Sequence, residues 1–160
     1  MKKFSSLSLA LSLAVATVAV PMQAHAEMAK SERQAANAVQ FRQAVFQLVR
    51  SNMGPLGAMA KGQIPFDQAV IQTNALRLEQ LGMMVPDYFA TNTTEFSVET
   101  EALPKIWSEK DEFLSKANDL TVAAKALQVA AQGDDEGAYR AAIGKVGATC
   151  KGCHDAYKAD

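Results

Sequence analysis

Apolar residues recur every three or four positions along nearly the whole chain after Glu27, and this spacing predicts helices throughout. No segment of useful length alternates between apolar and polar residues, so no substantial strand is predicted. Ser31 followed by Gln34 resembles a capping box and predicts the start of the first helix. The apolar positions of that helix are Val39, Phe41, Val45, Phe46, Leu48, Val49 and Met53.

Glycine and proline residues predict the limits of the first two helices. Gly54-Pro55 is expected to break or kink the first helix, although Leu56 and Met59 could continue its buried side. The segment from Lys61 to Pro65 is typical of a turn. The second helix is expected from about Phe66 to Leu81, with Gly82 as its C-cap and Pro86 preventing continuation. Its expected buried positions are Phe66, Ala69, Val70, Thr73, Leu76 and Leu81.

Two further helices are predicted after an irregular stretch over residues 85–102. The third should span about Leu103 to Ala131, with Pro104 near its start, where a missing N–H group is harmless. Asp134 or Asp135 can cap the fourth. The expected buried positions are Ile106, Trp107, Lys110, Phe113, Leu114, Ala117, Leu120, Ala124 and Leu127, then Tyr139, Ile143, Val146, Cys150, Cys153 and Tyr157. The pattern predicts an all-α fold, an antiparallel four-helix bundle with up-down-up-down topology.

The N-terminal segment has the organisation of a secretory signal peptide. Lys2-Lys3 forms a basic start, Phe4 to Val20 is an apolar or small run, and Ala24-His25-Ala26 is a small-x-small cleavage site. The apolar run is too short to favour a membrane span. We therefore expect residues 1–26 to be removed and residues 27–160 to form one domain in the periplasm.

The segment Cys150-Lys151-Gly152-Cys153-His154 carries the clearest chemistry. Its CxxCH pattern is the attachment signature of c-type haem: both thiols add to the haem vinyl groups and the histidine ligates the iron. On a helix, residues at i, i+3 and i+4 share one face, so the sulfurs and the imidazole can point at one planar ligand. We therefore predict one haem c per chain on the last helix, bound through Cys150 and Cys153 with His154 as the iron ligand.

Two other interpretations of the motif remain open at this point. A structural zinc site normally needs four ligands, whereas Cys150, Cys153 and His154 supply three and the chain has no further cysteine. A CxxC redox dithiol usually lies where a strand meets a helix, whereas the surroundings here are helical. Either alternative predicts a metal-free or zinc-bound dithiol module without haem.

Loss of the signal peptide changes the charge and the histidine count. The whole chain has a formal charge of −1, and removing Lys2 and Lys3 with no acidic residue makes it −3. This balance argues against nucleic acid or an anionic membrane as a partner. Because His25 is lost as well, His154 is the one histidine that remains. A second histidine ligand and a distal histidine are therefore excluded.

Together these features resemble cytochrome c′, the class II c-type cytochromes. The resemblance rests on the CxxCH motif at the extreme C-terminus, Lys61-Gly62 before the second helix, and the segments Pro104-Lys105-Ile106-Trp107 and Val146-Gly147-Ala148. Class I cytochromes instead place CxxCH near the N-terminus and use a downstream methionine, and this chain has no methionine after Met84.

The resemblance implies further residues of the haem site. Phe46 is at the position where low-spin members carry a methionine as second axial ligand, and its ring has no lone pair to donate. Arg42, one turn earlier, matches a basic residue that can pair with a haem propionate, and Gln43 is its neighbour in the same segment. Lys158 matches a basic residue that flanks the proximal pocket, and Glu101 a polar or acidic position near the haem.

The expected function is reversible binding of diatomic gases at a five-coordinate, high-spin iron. The resemblance implies nitric oxide as the best candidate, with carbon monoxide as a weaker ligand and with sequestration or tolerance as the outcome. Catalysis is not expected, since no histidine remains as a distal acid or base. The alternative is a low-spin, six-coordinate electron carrier with a redox partner protein, for which Met53 is the most plausible iron ligand. Members of the family are often homodimers through the first two helices, and we expect the same here.

Overall fold

The computed structural model of the protein describes residues 26–159, so the expected signal peptide lies outside the described residues except for Ala26. The helices are α1 (Glu32–Ala60), α2 (Gln68–Tyr88), α3 (Lys105–Ser108), α4 (Lys110–Ala130) and α5 (Glu136–Tyr157). Two short strands are β1 (Glu27–Met28) and β2 (Thr91–Asn92). Because α2 packs on α1 and α4, and α5 packs on α4 and α1, the predicted four-helix bundle is confirmed.

Side-chain caps begin two of the long helices where the sequence predicts them. Ser31 Oγ accepts a hydrogen bond of 3.2 Å from the N–H of Gln34, and Gln34 Oε1 accepts one of 2.7 Å from the N–H of Lys30. At α5, Asp135 Oδ1 accepts a bond of 2.8 Å from the N–H of Gly137. Both caps satisfy N–H groups that have no partner within the helix itself.

Pro55 does not end α1, so the expected break is wrong, and the alternative that Leu56 and Met59 continue the buried side of the helix is confirmed. The helix continues through the proline to Ala60. Leu56 and Met59 follow the proline and are only 0% and 2% exposed. Burial of these two large side chains offsets the one backbone hydrogen bond that proline cannot donate.

The predicted end of α2 at Gly82 is also wrong, because the helix passes through Gly82 and Pro86 to Tyr88. Gly82 is buried where α2 crosses α4, and a Cβ there would lie 2.6 Å from Thr121 Oγ1. The glycine therefore allows two helices to approach closely rather than capping one. Pro86 costs one backbone bond in the last turn, while its neighbour Val85 is 3% exposed and anchors that turn in the core.

The buried face of α2 differs from the predicted one. Ala69, Thr73 and Leu76, expected to be buried, are exposed, and Phe66 and Val70 are half-buried. The buried residues are Ile71, Asn74, Ala75, Leu78, Leu81, Gly82 and Val85. Because apolar residues lie on more than one side of α2, their spacing does not decide which side meets α1 and α4.

The predicted third helix is interrupted once. Glu109 leaves helical geometry with φ −117° and ψ 40°, so α3 ends at Ser108 and α4 begins at Lys110. Pro104 is the N-cap of α3. The predicted buried side is otherwise correct: Ile106, Phe113, Ala117, Leu120, Ala124 and Leu127 are buried, and Trp107, Lys110 and Leu114 are half-buried.

The strands β1 and β2 form a parallel pair, with Glu27 opposite Thr91 and Met28 opposite Asn92. This pair joins the chain before α1 to the loop after α2. Within residues 26–159, no helix is long and apolar enough to span a membrane.

Candidate haem-binding site

The C-terminal part of α5 carries the CxxCH motif at the edge of the bundle interior. Cys150 and Cys153 are half-buried, whereas His154 is exposed. Cys150 Sγ donates a hydrogen bond of 3.5 Å to Val146 O, and the N–H of Lys158 donates one of 3.1 Å to His154 O. Burial raises the pKa of both thiols, which keeps them protonated at neutral pH. Two sulfurs and one imidazole are thus held on a continuous helix.

A cavity of about 430 Å³ lies beside the motif, between α1, α2, α4 and α5. Its walls are mainly apolar, and its volume is in the range of cofactor sites, about 300–1,000 Å³. Every side chain expected at the site lines this one cavity: Arg42, Gln43, Phe46, Glu101, Cys150, Cys153, His154 and Lys158. The fold therefore brings residues of α1, of the segment before α3 and of the C-terminal part of α5 together at one cavity.

The residues present fit a covalently attached haem. An apolar cavity suits a porphyrin, two thiols suit its two vinyl groups, and a single imidazole suits the iron. Within residues 26–159, no three His, Cys, Asp or Glu side chains are arranged to hold a metal ion by themselves, which argues against the zinc alternative. Both cysteines lie inside a helix rather than at a strand-to-helix junction, which argues against the redox dithiol.

Arg42 is a buried cation in the cavity wall, only 3% exposed. Its Nε donates a hydrogen bond of 2.8 Å to Tyr88 O, Nη1 donates one of 3.2 Å to Thr93 Oγ1, and Nη2 donates to Thr91 O. Burial lowers its pKa to about 10, so the guanidinium stays charged at neutral pH. The ion pairs of the described residues do not include Arg42. It ties the loop after α2 to α1 and brings an uncompensated positive charge to the cavity.

Phe46 lies one turn after Arg42 on the same side of α1. Its side chain lines the cavity, is 37% exposed, and meets the ring of Phe89 edge-on at 6.2 Å between centroids. Gln43 lines the cavity from an exposed position. Met53 is half-buried and lines it as well. The α1 wall therefore combines apolar side chains, which include Val39 and Val49, with polar ones.

Glu101 and Lys158 meet at the cavity edge, with 3.0 Å between Lys158 Nζ and Glu101 Oε2. The backbone of the same two segments is paired: the N–H of Leu103 donates to Tyr157 O at 3.0 Å, and the N–H of Ala159 donates to Glu101 O at 2.8 Å. The chain after α5 is thus fastened to the segment before α3. No local sequence pattern indicates that these two residues are partners.

Phe89 and Lys116 also line the cavity, although nothing in the local pattern singles them out. Phe89 is 3% exposed and its ring centroid lies 4.6 Å from that of Phe113. Lys116 approaches the motif from α4, and its charge partly counteracts the rise in the pKa of Cys153. A large aromatic residue within a predicted loop is the one sequence signal that could have pointed to Phe89.

Comparison with known proteins agrees with this geometry. A family model described as cytochrome C′ matches residues 37–158. The chain belongs to the cytochrome c′ family. A cytochrome c′ from Cereibacter sphaeroides is 38% identical over 146 residues, which cover 90% of this chain and 95% of that protein. The family carries covalently attached haem c, and Cys150 and Cys153 are the attachment cysteines, so the predicted cofactor is confirmed.

Solved structures of the family share the fold. A cytochrome c prime from Shewanella frigidimarina is 39% identical with a TM-score of 0.67, covering 79% of this chain and 97% of that one. A nitric oxide complex of a variant of cytochrome c prime from Alcaligenes xylosoxidans is 35% identical with a TM-score of 0.70, covering 79% and 96%. The bundle with haem on its last helix is therefore the arrangement of this family.

Proposed function

We propose that this protein binds small diatomic gases at a five-coordinate, high-spin haem, with nitric oxide as the strongest ligand and carbon monoxide as a weaker one. The observation that carries the proposal is Phe46 on the cavity wall. When bound, the haem supplies an iron coordination site for the gas. His154 would ligate the iron, and the phenyl ring of Phe46 has no lone pair with which to supply a second ligand.

Phe46 also restricts what reaches the iron. An apolar ring in contact with Phe89 admits a small uncharged molecule more readily than a hydrated anion, because an ion would lose its water without gaining a partner. The structural relative from Alcaligenes xylosoxidans, of which a variant was solved with nitric oxide, supports the choice of gas. Sequestration of nitric oxide, or tolerance to it, is the proposed outcome.

We propose binding rather than enzymatic catalysis. Once the signal peptide is removed, His154 is the one histidine of the chain, and it is assigned to the iron. Among the described residues that line the cavity, Glu101 is the one carboxylate, and it is paired with Lys158. The cavity therefore offers no uncommitted histidine or carboxylate to move a proton.

The polar residues at the rim are proposed to hold the haem propionates and the proximal side. Arg42 has an uncompensated charge at the cavity, which a propionate would neutralise in a charge-assisted hydrogen bond. Gln43 lies beside it on the exposed rim. Lys158, one turn after His154 and bound to Glu101, is proposed to flank the proximal side.

A homodimer through α1 and α2 is part of the proposal. Phe41 and Leu48 on α1 are 54% and 53% exposed, and Leu76 and Met83 on α2 are 46% and 59% exposed. Each pair is seven residues apart and so forms a stripe along its helix, and a second copy of this chain would cover such apolar stripes. Light scattering should give twice the chain mass for the wild type and a lower mass for Leu48→Glu. The matched control is Val129→Glu on α4, which should remain dimeric; a monomeric wild type would exclude the dimer.

Export to the periplasm is proposed from the predicted signal peptide, residues 1–26, which leaves residues 27–160 as the haem domain. A redox partner protein that keeps the iron reduced is proposed to act there. Intact-mass spectrometry of protein from the periplasm should give a chain that begins at Glu27 and carries one haem. A chain that retains its first residues would contradict the proposed processing.

One observation favours a second function, electron transfer by a low-spin haem. Met53 lines the same cavity as the CxxCH motif, and its thioether could supply the second axial ligand. Phe46 is nevertheless the residue at the position where low-spin members of the family carry their methionine. The gas-binding proposal is therefore preferred.

Two substitutions in the haem-loaded protein separate these functions. Phe46→Met should supply a thioether, convert the haem to a low-spin form, and abolish carbon monoxide binding in the absorption spectrum. Met53→Leu should leave the spectrum and the carbon monoxide affinity as in the wild type. A low-spin wild type that becomes high-spin in Met53→Leu would establish the electron carrier instead.

A further inference from the structure

Lys110, the first residue of α4, has an unusual environment for a lysine. Its Nζ donates a hydrogen bond to Phe89 O, at the C-terminal end of α2, and the side chain is half-buried. The ion pairs of residues 26–159 do not include it. Burial and the nearby charge of Arg42 both lower its pKa. The hydrogen bond to Phe89 O must therefore offset the unfavourable free energy of burying this charge near Arg42.

The C-terminal end of α2 explains why the hydrogen bond from Lys110 is stabilising. The last turn of α2 contains no basic residue of its own, although cations stabilise the carbonyl end of a helix. Arg42 from α1 donates to Tyr88 O, and Lys110 from α4 donates to Phe89 O. The end of α2 is thus held by cations from two neighbouring helices, and the backbone of Phe89 is fixed between them.

The ring of Phe89 is held equally closely. Its centroid lies 4.6 Å from that of Phe113 and 6.4 Å from that of Trp107, and the guanidinium carbon of Arg42 lies 4.8 Å from it. On its remaining side, the ring meets Phe46 edge-on at 6.2 Å. Aromatic pairs at such separations prefer defined orientations, so the position of Phe89 limits the orientations open to Phe46.

We propose that Lys110 is a positioning residue that controls gas access through Phe89 and Phe46. By holding the Phe89 backbone it keeps the Phe89 ring against Phe46, and Phe46 would in turn narrow the approach of a gas to the iron. The inference rests on the proposed gas-binding function and adds residues that do not belong to the haem-attachment set. Loss of the lysine contact should free Phe89, then Phe46, and speed ligand entry.

The test compares Lys110→Met, which keeps an unbranched stem without the charged donor, with Lys110→Arg, which retains a donor. The control is Lys125→Met, which removes another lysine of α4 that lies 3.5 Å from Glu79. In haem-loaded protein, amide hydrogen exchange of residues 89–93 should be about tenfold faster in Lys110→Met, the effect expected for one lost bond from a charged donor. Carbon monoxide association after flash photolysis should rise severalfold. Lys110→Arg should restore both values, and Lys125→Met should change neither.

The outcomes separate this inference from the proposed function. Faster exchange with an unchanged association rate would show that Lys110 has a structural role only and would overturn the inference. Unchanged exchange and rate would overturn it as well. If Lys110→Met does not accumulate, Lys110→Gln, which is shorter and uncharged, tests the same contact and should also speed carbon monoxide entry. A low-spin wild type that binds no carbon monoxide would instead reject the proposed function itself.

Discussion

The two ends of the bundle are stabilised in different ways. At the end formed by the α1–α2 and α4–α5 connections, the interior is filled by protein side chains: Leu56, Ile71, Leu127 and Val146 are 0% exposed. At the other end the side chains surround a cavity of about 430 Å³. The first end is packed by protein side chains alone, whereas the second needs its cofactor to complete the packing.

The connections at the closed end are fastened by side chains to backbone carbonyls. Gln68 and Gln72 both donate to Ala131 O, at 2.8 and 2.7 Å. Tyr139 donates a hydrogen bond of 2.6 Å to Gly133 O. At the cavity end, Arg42 and Lys110 have this role, the first buried and the second half-buried. The closed end is held mainly by neutral groups, although Arg140 also donates to Ala60 O there, whereas the cavity end is held by cations.

Loss of the haem should have the largest effect and should be confined to the cavity end. For Cys150→Ser combined with Cys153→Ser, with loosely held haem extracted, the free energy of unfolding should fall, because the apolar walls of the cavity lose the group that packs against them. The loss should exceed the cost of truncating one core side chain, about 2–5 kcal/mol. Hydrogen exchange should show lost protection around Phe89 and Phe113 and residual protection around Ile71. Lys145→Ala, an exposed change on α5, should alter nothing; uniform protection in the double variant would contradict the comparison.

A cavity made at the closed end should weaken the fold without changing the haem. Leu127→Ala removes a fully buried side chain and should lower the free energy of unfolding by about 2–5 kcal/mol, measured by denaturant titration. The absorption spectrum and the gas affinity should stay those of the wild type. Val129→Ala, at a residue 66% exposed, is the control and should change the stability by less than about 0.5 kcal/mol. A shifted haem spectrum in Leu127→Ala would show that the ends are not independent.

Two glycines on different helices should respond in opposite directions to the same substitution. Gly82→Ala places a Cβ 2.6 Å from Thr121 Oγ1, and the strain should cost about 1–3 kcal/mol in thermal unfolding. Gly144→Ala on α5 meets no atom within 4 Å and should stabilise its helix by roughly 0.5–1 kcal/mol. Equal effects at both positions would contradict the close crossing of α2 and α4.

The smallest effect is expected for Tyr157→Phe near neutral pH. The hydroxyl is buried and has no hydrogen-bond partner among residues 26–159, so its removal should change stability by less than about 1 kcal/mol. Burial, followed by the nearby Glu109, raises the pKa of Tyr157 to about 12 from an ordinary value of 10.0. The folded state therefore keeps this proton while the unfolded chain loses it. The contribution of the protonated Tyr157 hydroxyl to the free energy of unfolding is therefore complete below pH 10 and disappears as pH rises through about 12. The melting temperature should fall between pH 10 and about 12 by more in the wild type than in Tyr157→Phe. Equal falls in the two proteins would contradict the raised pKa of Tyr157.

Sequence-based prediction was sufficient for features that depend only on residues close together in the chain. The caps at Ser31 and Asp135, the apolar side of α4, and the CxxCH spacing on α5 all follow from neighbouring residues. Local signals failed at Gly82 and Pro86, because contact with α4 outweighs the tendency of these residues to end a helix.

The residues of the candidate haem site fall into the same two groups, those that the local sequence indicates and those that it does not. The motif residues can be recognised from their spacing, and Phe46 and Arg42 from resemblance to a family. The hydrogen bonds of Arg42 to Tyr88 and Thr91 join residues far apart in the chain, as does the bond of Lys110 to Phe89. Such contacts depend on how three helices pack, and no periodic pattern in one segment reports them.

The most direct test of the account is the absorption spectrum of the wild-type holoprotein, reduced with dithionite, before and after nitric oxide. The account predicts a broad high-spin Soret band that shifts when nitric oxide is added, because the phenyl ring of Phe46 would supply no second ligand to the iron. Sharp low-spin α and β bands that nitric oxide leaves unchanged would contradict it, and would show that a side chain such as Met53 ligates the iron.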